Sequence, residues 1–315
     1  MFIGVDIGGT KIAAGLVGSD GSIHSQLRIP MVANSTAQDG LAGVLTVINS
    51  LLRLATTEIS GIGICAPGPL DPNTGVILNP PNLPCWRNYA LAEEVLKSVG
   101  LPAKLDNDAN AAALAEAHWG AAMGHSIVFY ATIGTGIGTG IVFDGRIYHG
   151  RTGAAGEGGH VSIDCRGPRC ACGKPGCIEA LASGTAIARR AQEKILAGES
   201  SIVHFSHGRI DSITAEVVGR AASDGDPMAK QILDETIDFL ALWLSNIVDL
   251  LDPDIIVIGG GASALLSPSF LNLQALVSKY ALNPRADEVP VVCARYGADS
   301  GIAGGAALCS TSRAQ

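Results

Sequence analysis

Aromatic side chains make up only 4% of this 315-residue chain, and its 21 basic residues are outnumbered by 29 acidic ones. The first scarcity means that small aliphatic groups must fill the interior. The 40 glycines add that backbones approach one another or a ligand with no side chain between. The second leaves a formal charge of −8 with no block of lysine and arginine, which argues against nucleic acid or an anionic membrane as partner. Long apolar runs are missing too: the strongest, from Phe239 to Leu251, contains Asn246 and Asp249 and reads as a core helix rather than a membrane span. The N-terminus runs straight into an apolar strand and turn, without the basic start and apolar stretch of a signal peptide, so a cytoplasmic protein is expected. Two nucleotide signatures are absent as well. Neither G-x-x-x-x-G-K-[ST] nor G-x-G-x-x-G spacing occurs, which leaves a Walker-type ATPase and a Rossmann dehydrogenase unsupported.

What is present is concentrated in the stretch GEGGHVSIDCRGPRCACGKPGCIE. His160, Cys170, Cys172 and Cys177 follow the spacing H-x9-C-x-C-x4-C, with Gly173 and Gly176 placed to turn the backbone tightly, and this is ligand spacing for tetrahedral Zn2+. Cys165 is a rival ligand, since it would make C-x4-C-x-C-x4-C without the histidine. Four protein ligands leave no open position for water, so the zinc is expected to be structural. Glu157 and Glu179 bracket the cluster, so a metal here would fix two carboxylates beside it. Eight cysteines in a reducing cytosol favour such ligation over disulfides.

The apolar run at residues 2–7, a GGT turn, a returning apolar run and Asp20-Gly21 form a strand, turn, strand unit. Residues 127–148 repeat the pattern through to Asp144-Gly145, which predicts an internal duplication of one sheet unit. At 315 residues two α/β domains are expected: 1–117, completed by a C-terminal helix at 298–315, and 118–297, which carries the cysteine cluster. Helices are predicted near Gln38 to Ala55, Tyr89 to Val99, after Asp108, Gly184 to Ala197, Thr214 to Ser223 and Pro227 to Leu251. Six prolines between Pro67 and Pro84 argue against regular structure there and for a stiff pocket-lining loop. The Ala-rich helix after Asp108 and the Gly-rich helix after Asp299 have too little bulk to stay apart, and a close crossing at a domain hinge is expected.

Two glycine turns suit phosphate. Asp6, Gly8, Gly9, Thr10 and Lys11 offer backbone N–H groups, a hydroxyl, an ammonium and a carboxylate for hydrated Mg2+; Gly134, Thr135, Gly136 and Gly138 offer a second cradle without bulk. Gly259, Gly260 and Gly261 form a third turn after a buried strand. Asp108, at or just inside a helix N-terminus, is the candidate general base, its ionised form favoured by the helix dipole by roughly 0.3–1 kcal/mol. A capping role is the alternative, and Asp106 or Asn107 could serve it equally.

Taken together, DIGGTK, NDANAAA, the Gly134 to Gly140 run, AGEGGH and CACGKPGCIE resemble the ROK (repressor, open reading frame, kinase) family over nearly the whole chain. The resemblance implies an actin-like ATPase (ribonuclease H-like) fold, with two α/β domains around a central cleft that holds a hexose and ATP with Mg2+. It implies that Asp108 deprotonates the sugar hydroxyl while Asn107, Glu157, His160 and Glu179 hold the others, with Gly68 and Asn82 nearby. His160 would ligate zinc through its second nitrogen, and Gly259 to Gly261 would border the adenosine. The expected activity is glucose 6-phosphorylation, with N-acetylmannosamine and fructose as rival acceptors, and the family suggests a homodimer or homotetramer. The family also contains sugar-sensing transcription regulators. Those carry a helix-turn-helix ahead of this body, which the strand beginning at Phe2 and the acidic charge disfavour. A silent binding protein would be expected to lack Asp108.

Overall fold

The glycine turns build two sheets with the same strand order. The structure, a computed structural model, describes residues 1–196 and 200–310. In the first sheet β1 (Phe2–Ile7) and β2 (Lys11–Val17) form the expected hairpin, β3 (Ile23–Pro30) extends it, and β4 (Ile62–Ala66) and β7 (Ala103–Asn107) add on the other side of β1. The order is β3-β2-β1-β4-β7, with β1, β4 and β7 parallel. The second sheet repeats it as β10-β9-β8-β11-β12, from β8 (Ile127–Ile133), β9 (Ile137–Phe143), β10 (Arg146–Ile147), β11 (Ile255–Gly259) and β12 (Val291–Cys293). The β9–β10 turn is the predicted Asp144-Gly145, both at positive φ (46° and 71°), as a two-residue hairpin requires. The duplicated mixed sheet is that of the actin-like ATPase fold.

By contacts, one compact unit comprises residues 1–128, 140–156 and 295–315, of which the last five are not described, and the other comprises 129–139 and 157–294. In the first, α1 (Ala37–Leu54) begins at a capping box between Thr36 and Asp39 and buries Val44, Val47, Ile48 and Leu51 against the sheet. Helix α2 (Leu91–Val99) stops at Gly100 in the left-handed conformation. Trp86, which lies in the proline-rich segment, is fully buried, stacks on Tyr89 and donates its Nε1–H to the Ala37 carbonyl (3.2 Å). That segment is not without regular structure: β5 (Leu70–Asp71) and β6 (Val76–Ile77) form a small antiparallel hairpin. The prolines lie outside the paired residues, and the Asp71 carboxylate closes the turn by accepting from Asn73 N (3.0 Å) and Thr74 Oγ1 (2.7 Å).

Helices α3 (Asp108–Trp119) and α11 (Ser300–Ser310) cross closely, as their composition predicts. A Cβ on Gly304 would lie 2.6 Å from the Ala111 carbonyl carbon, and one on Gly63 of β4 would overlap the Gly305 carbonyl oxygen. Backbone therefore packs on backbone here, which is what the glycine count and the shortage of aromatics foretell.

The second unit holds α4 (Ile178–Ala182), α5 (Gly184–Ile195), α6 (Ile202–Phe205), α7 (Ala215–Ser223), α8 (Pro227–Leu251), α9 (Ser263–Leu266) and α10 (Phe270–Tyr280). Residue 197, the expected end of the helix from Gly184, lies outside the described residues. Helix α8 has Pro227 in its first turn and Asp226 as cap, accepting from Ala229 N (2.8 Å). Buried Arg190 of α5 donates to Glu235 (3.0 Å) and Thr236 of α8, tying the two helices together. Among the described residues no helix is long and apolar enough to cross a membrane.

Candidate active site

Strand β7 ends at Asn107, and the next residue starts α3. Asn107 is the cap: its side chain accepts from Ala109 N (2.9 Å) and Asn110 N (3.4 Å). Asp106 is almost fully buried and accepts from the backbone N–H of Asn107 (2.7 Å), from Asn110 Nδ2 (3.2 Å) and from His149 Nε2 (2.7 Å). Both alternatives for capping are thus accounted for, and Asp108 is left exposed on the first turn, its Oδ1 accepting from Ala109 N (2.8 Å). A Cβ added to Gly68 would come 3.8 Å from Asn107 Nδ2, so Gly68, Asn107 and Asp108 form one neighbourhood.

The first glycine turn lies in the same unit. Gly8 N donates to the Lys11 carbonyl (2.9 Å), with Thr10 and Lys11 exposed. Exposed Asn82 packs its backbone on this turn, its carbonyl oxygen 3.1 Å from where a Gly9 Cβ would lie. Burial raises the Asp6 carboxyl above its usual range, while the Lys11 charge and the Cys65 thiol pull it down. A cation beside Asp6 would therefore be welcome.

The cysteine motif lies in the second unit. Ligand atoms of His160, Cys170, Cys172 and Cys177 all fall within 4.8 Å of one another. His160 Nδ1 lies 3.5 Å from Cys170 Sγ, and Cys172 Sγ lies 3.6 Å from Cys177 Sγ. With metal–sulfur bonds of ~2.3 Å the edge of a tetrahedron is roughly 3.8 Å, so the four groups fit a four-coordinate metal. Gly176, at φ 62°, makes the loop possible, because a side chain there would run into the Asp164 carbonyl. Exposed Cys165 stands outside the group. Burial pushes the Cys177 thiol up to about 12 and raises Cys170, whereas the Lys174 backbone N–H lowers Cys172. Two of the three thiols thus need a cation to ionise.

Glu179 links this cluster to the second glycine turn. Its Oε1 lies 3.7 Å from Cys170 Sγ and 3.9 Å from His160 Nδ1, and its Oε2 accepts from Ile137 N at 3.0 Å. Gly158 N donates to the buried Thr139 hydroxyl (2.8 Å), which seats the segment between exposed Glu157 and His160 on β9. Thr139 carries no sequence signal, since threonine is an ordinary strand residue.

Beside this turn is a cleft of about 550 Å³ lined by Gly134, Thr135, Gly184, Thr185, Arg189 and Gly261, with the start of α7 completing it. Of the glycines singled out in the sequence, Gly134 and Gly261 line it. Gly136 instead backs onto the Glu179 carboxylate, Gly138 lies within β9, Gly259 ends β11, and Gly260 is pressed against Ile133. The parts from α5 and α7 were missed: Thr185 Oγ1 donates to the Thr135 carbonyl (2.7 Å) across fifty positions, and nothing local marks that pairing.

The chain is 35% identical over 307 residues to a glucokinase of Thermotoga maritima, covering 97% of this chain and 96% of that one. It is 34% identical over 308 residues to an N-acetylmannosamine kinase of Escherichia coli, with 97% of each covered. A solved ROK family glucokinase from Streptomyces griseus, in complex with glucose and AMPPNP, superposes with a TM-score of 0.81 at 33% identity over 98% of both chains. The ROK family itself is matched from residue 2 to residue 312, so the likeness takes in both sheets, the Asp108 turn and the His/Cys cluster, and the chain belongs to that family.

Proposed function

We propose that this chain is an ATP-dependent hexose kinase that transfers the γ-phosphoryl group to the 6-hydroxyl of glucose, with Asp108 as general base. The observation that carries the reading is the arrangement at the start of α3: Asn107 caps, Asp106 is buried and bonded on both oxygens, and Asp108 stands exposed on the first turn. A carboxylate there can take the proton of an alcohol as it attacks phosphorus. Phosphoryl transfer has a loose transition state, so positioning and charge neutralisation supply most of the acceleration. Asn107, Glu157, His160 and Glu179 are the proposed partners of the remaining sugar hydroxyls, with Gly68 approaching through its backbone. The Gly8–Lys11 turn and the Gly134–Gly138 turn are the proposed phosphate cradles, and the cleft bounded by Gly134, Thr185 and Gly261 has room for a nucleoside.

Two ions belong to the reading. Zn2+ held by Nδ1 of His160 and the thiolates of Cys170, Cys172 and Cys177 would be structural, leaving the other imidazole nitrogen for a hydroxyl. Asp6 is the proposed carboxylate for hydrated Mg2+, which would neutralise phosphate charge. Eight unbridged cysteines are in keeping with a reducing, cytoplasmic setting.

The N-acetylmannosamine kinase among the relatives favours one second reading, in which an acylated amino sugar is the acceptor. A coupled ATP assay across glucose, mannose, fructose, N-acetylglucosamine and N-acetylmannosamine separates the two by kcat/KM. Asp108→Asn should keep glucose binding and lose about a hundredfold or more in kcat. Near-normal turnover would reject the base, and a zinc-loaded protein that consumes ATP with none of these sugars would reject the activity.

A further inference from the structure

The bond between His149 and Asp106 has no role in the chemistry described so far. His149 follows β10 and lies in a loop closed on itself, where Ala155 N donates to the His149 carbonyl (3.1 Å) and Gly150 turns the chain at φ 66°. From this loop Nε2 reaches Asp106 Oδ2 at 2.7 Å. The bond spans 43 positions of sequence and ends on a carboxylate only 4% exposed. The other oxygen of Asp106 holds the Asn107 N–H and the Asn110 amide, so the carboxylate is the hub on which the β7-to-α3 turn is built. The same hairpin also grips the far end of α3, where His118 Nε2 lies 3.0 Å from the Gly145 carbonyl oxygen. Helix α3 is therefore held at both ends by residues 145–149, and the grip at its start lies two residues from Asp108. The hydrogen bond that His149 donates to Asp106, together with the carboxylate charge, raises the His149 pKa, against burial, which lowers it. A cationic imidazole and a neutral one protonated at Nε2 both donate to Asp106.

We infer that His149 is a positioning residue for phosphoryl transfer: by anchoring Asp106 it fixes the turn that aims Asp108 at the acceptor hydroxyl. The inference rests on the reading of Asp108 as the base. A base must stand within about 3 Å of the proton it takes, and a misplacement of roughly 1 Å costs about a hundredfold. Without the imidazole, Asp106 loses the partner that holds it from outside its own turn, and the turn can rotate with it. Substrate affinity depends less on this, because Asn107 is the one proposed sugar partner within the turn, while the glycine cradles and Glu157, His160 and Glu179 are untouched.

The test is steady-state kinetics on three variants of the full-length, zinc-loaded protein. His149→Phe should lower kcat roughly 10- to 100-fold while KM for glucose and for ATP stays within about threefold. His149→Gln, which restores an N–H donor of similar reach, should recover most of that loss. A role confined to packing would show neither the kcat selectivity nor the recovery. If His149→Phe does not fold, His149→Asn, whose amide is too short for Asp106, replaces it with the same expectation. Unchanged kcat, a loss carried by KM, or no recovery with glutamine overturns the assignment. Asp108→Asn separates the two claims: if it stays active, the base reading fails and this inference with it. If it is inactive while His149→Phe runs at full rate, only the His149 assignment falls.

Discussion

Removing the Glu179 carboxylate should damage two functions at once, because its two oxygens serve different parts of the site. Oε1 faces His160 and Cys170, and Oε2 accepts the Ile137 N–H at 3.0 Å at the root of the Gly134–Gly138 turn. A hydrogen bond to a charged group is worth roughly 1.5–3 kcal/mol, which in affinity is roughly 10- to 150-fold. The side chain is 25% exposed, so water can replace part of the lost bond, and the lower end is expected. Glu179→Ala should therefore raise KM for ATP about tenfold, through a loosened turn, as well as raising KM for glucose. Glu179→Gln keeps an oxygen for Ile137 but loses the charge, so KM for ATP should move by no more than about twofold while KM for glucose rises.

The assay is the coupled one, with each substrate varied at saturation of the other and zinc content measured on every variant to show that the cluster is intact. A Glu179→Ala protein with normal zinc, raised KM for glucose and unchanged KM for ATP would refute the reasoning. The carboxylate would then be a sugar ligand alone, and the turn would keep its shape through the Gly184 N–H bond to the Gly134 carbonyl (2.8 Å).

Cys172→Ser should lose about one zinc per chain by elemental analysis and weaken glucose binding; unchanged metal content would remove Cys172 from the ligand set. Gly63→Ala should destabilise the fold by about 3 kcal/mol or more in denaturant titration, because its methyl overlaps the Gly305 carbonyl and α11 would have to lift off the sheet. A change under about 0.5 kcal/mol would mean that α11 is not held that tightly. Asp226→Ala should cost about 2 kcal/mol of stability with kcat unaltered, since it removes the α8 cap and a partner of Ser201 N (2.7 Å). Desolvation works to raise the Asp226 pKa, but hydrogen bonds from Ala229, Ser201 and Ser200 outweigh it and hold the carboxyl below its ordinary value of 3.8. A depressed folded value stabilises above the unfolded one, so the difference between wild type and variant should be flat at about pH 5–7 and shrink as pH falls below 3.8. A difference that grows on acidification would contradict the assignment.

The sequence was legible where the chemistry is local. Asp144-Gly145 announces a hairpin because both positions need positive φ, and Asp226-Pro227 announces a helix start because a cap and a missing N–H are both suited to it. The cysteine cluster is of the same kind: its four ligands lie within eighteen positions, so spacing alone brings them near one another. Polar contacts between distant segments left no such trace. Asp108 reads as the candidate base, yet Asp106, Asn107 and Asp108 could each serve as the cap, and what separates the first from the third is the burial of Asp106 and its bonds, one of them from His149, 43 residues on. The proline-rich segment misled because proline content bars ladder bonds only at the prolines themselves, and the paired residues of β5 and β6 lie between them. Thr139 is the sharpest case. In a strand it is the ordinary β-branched choice, and it becomes part of the site because Gly158, nineteen positions later, has no side chain and so brings its N–H within 2.8 Å of the hydroxyl.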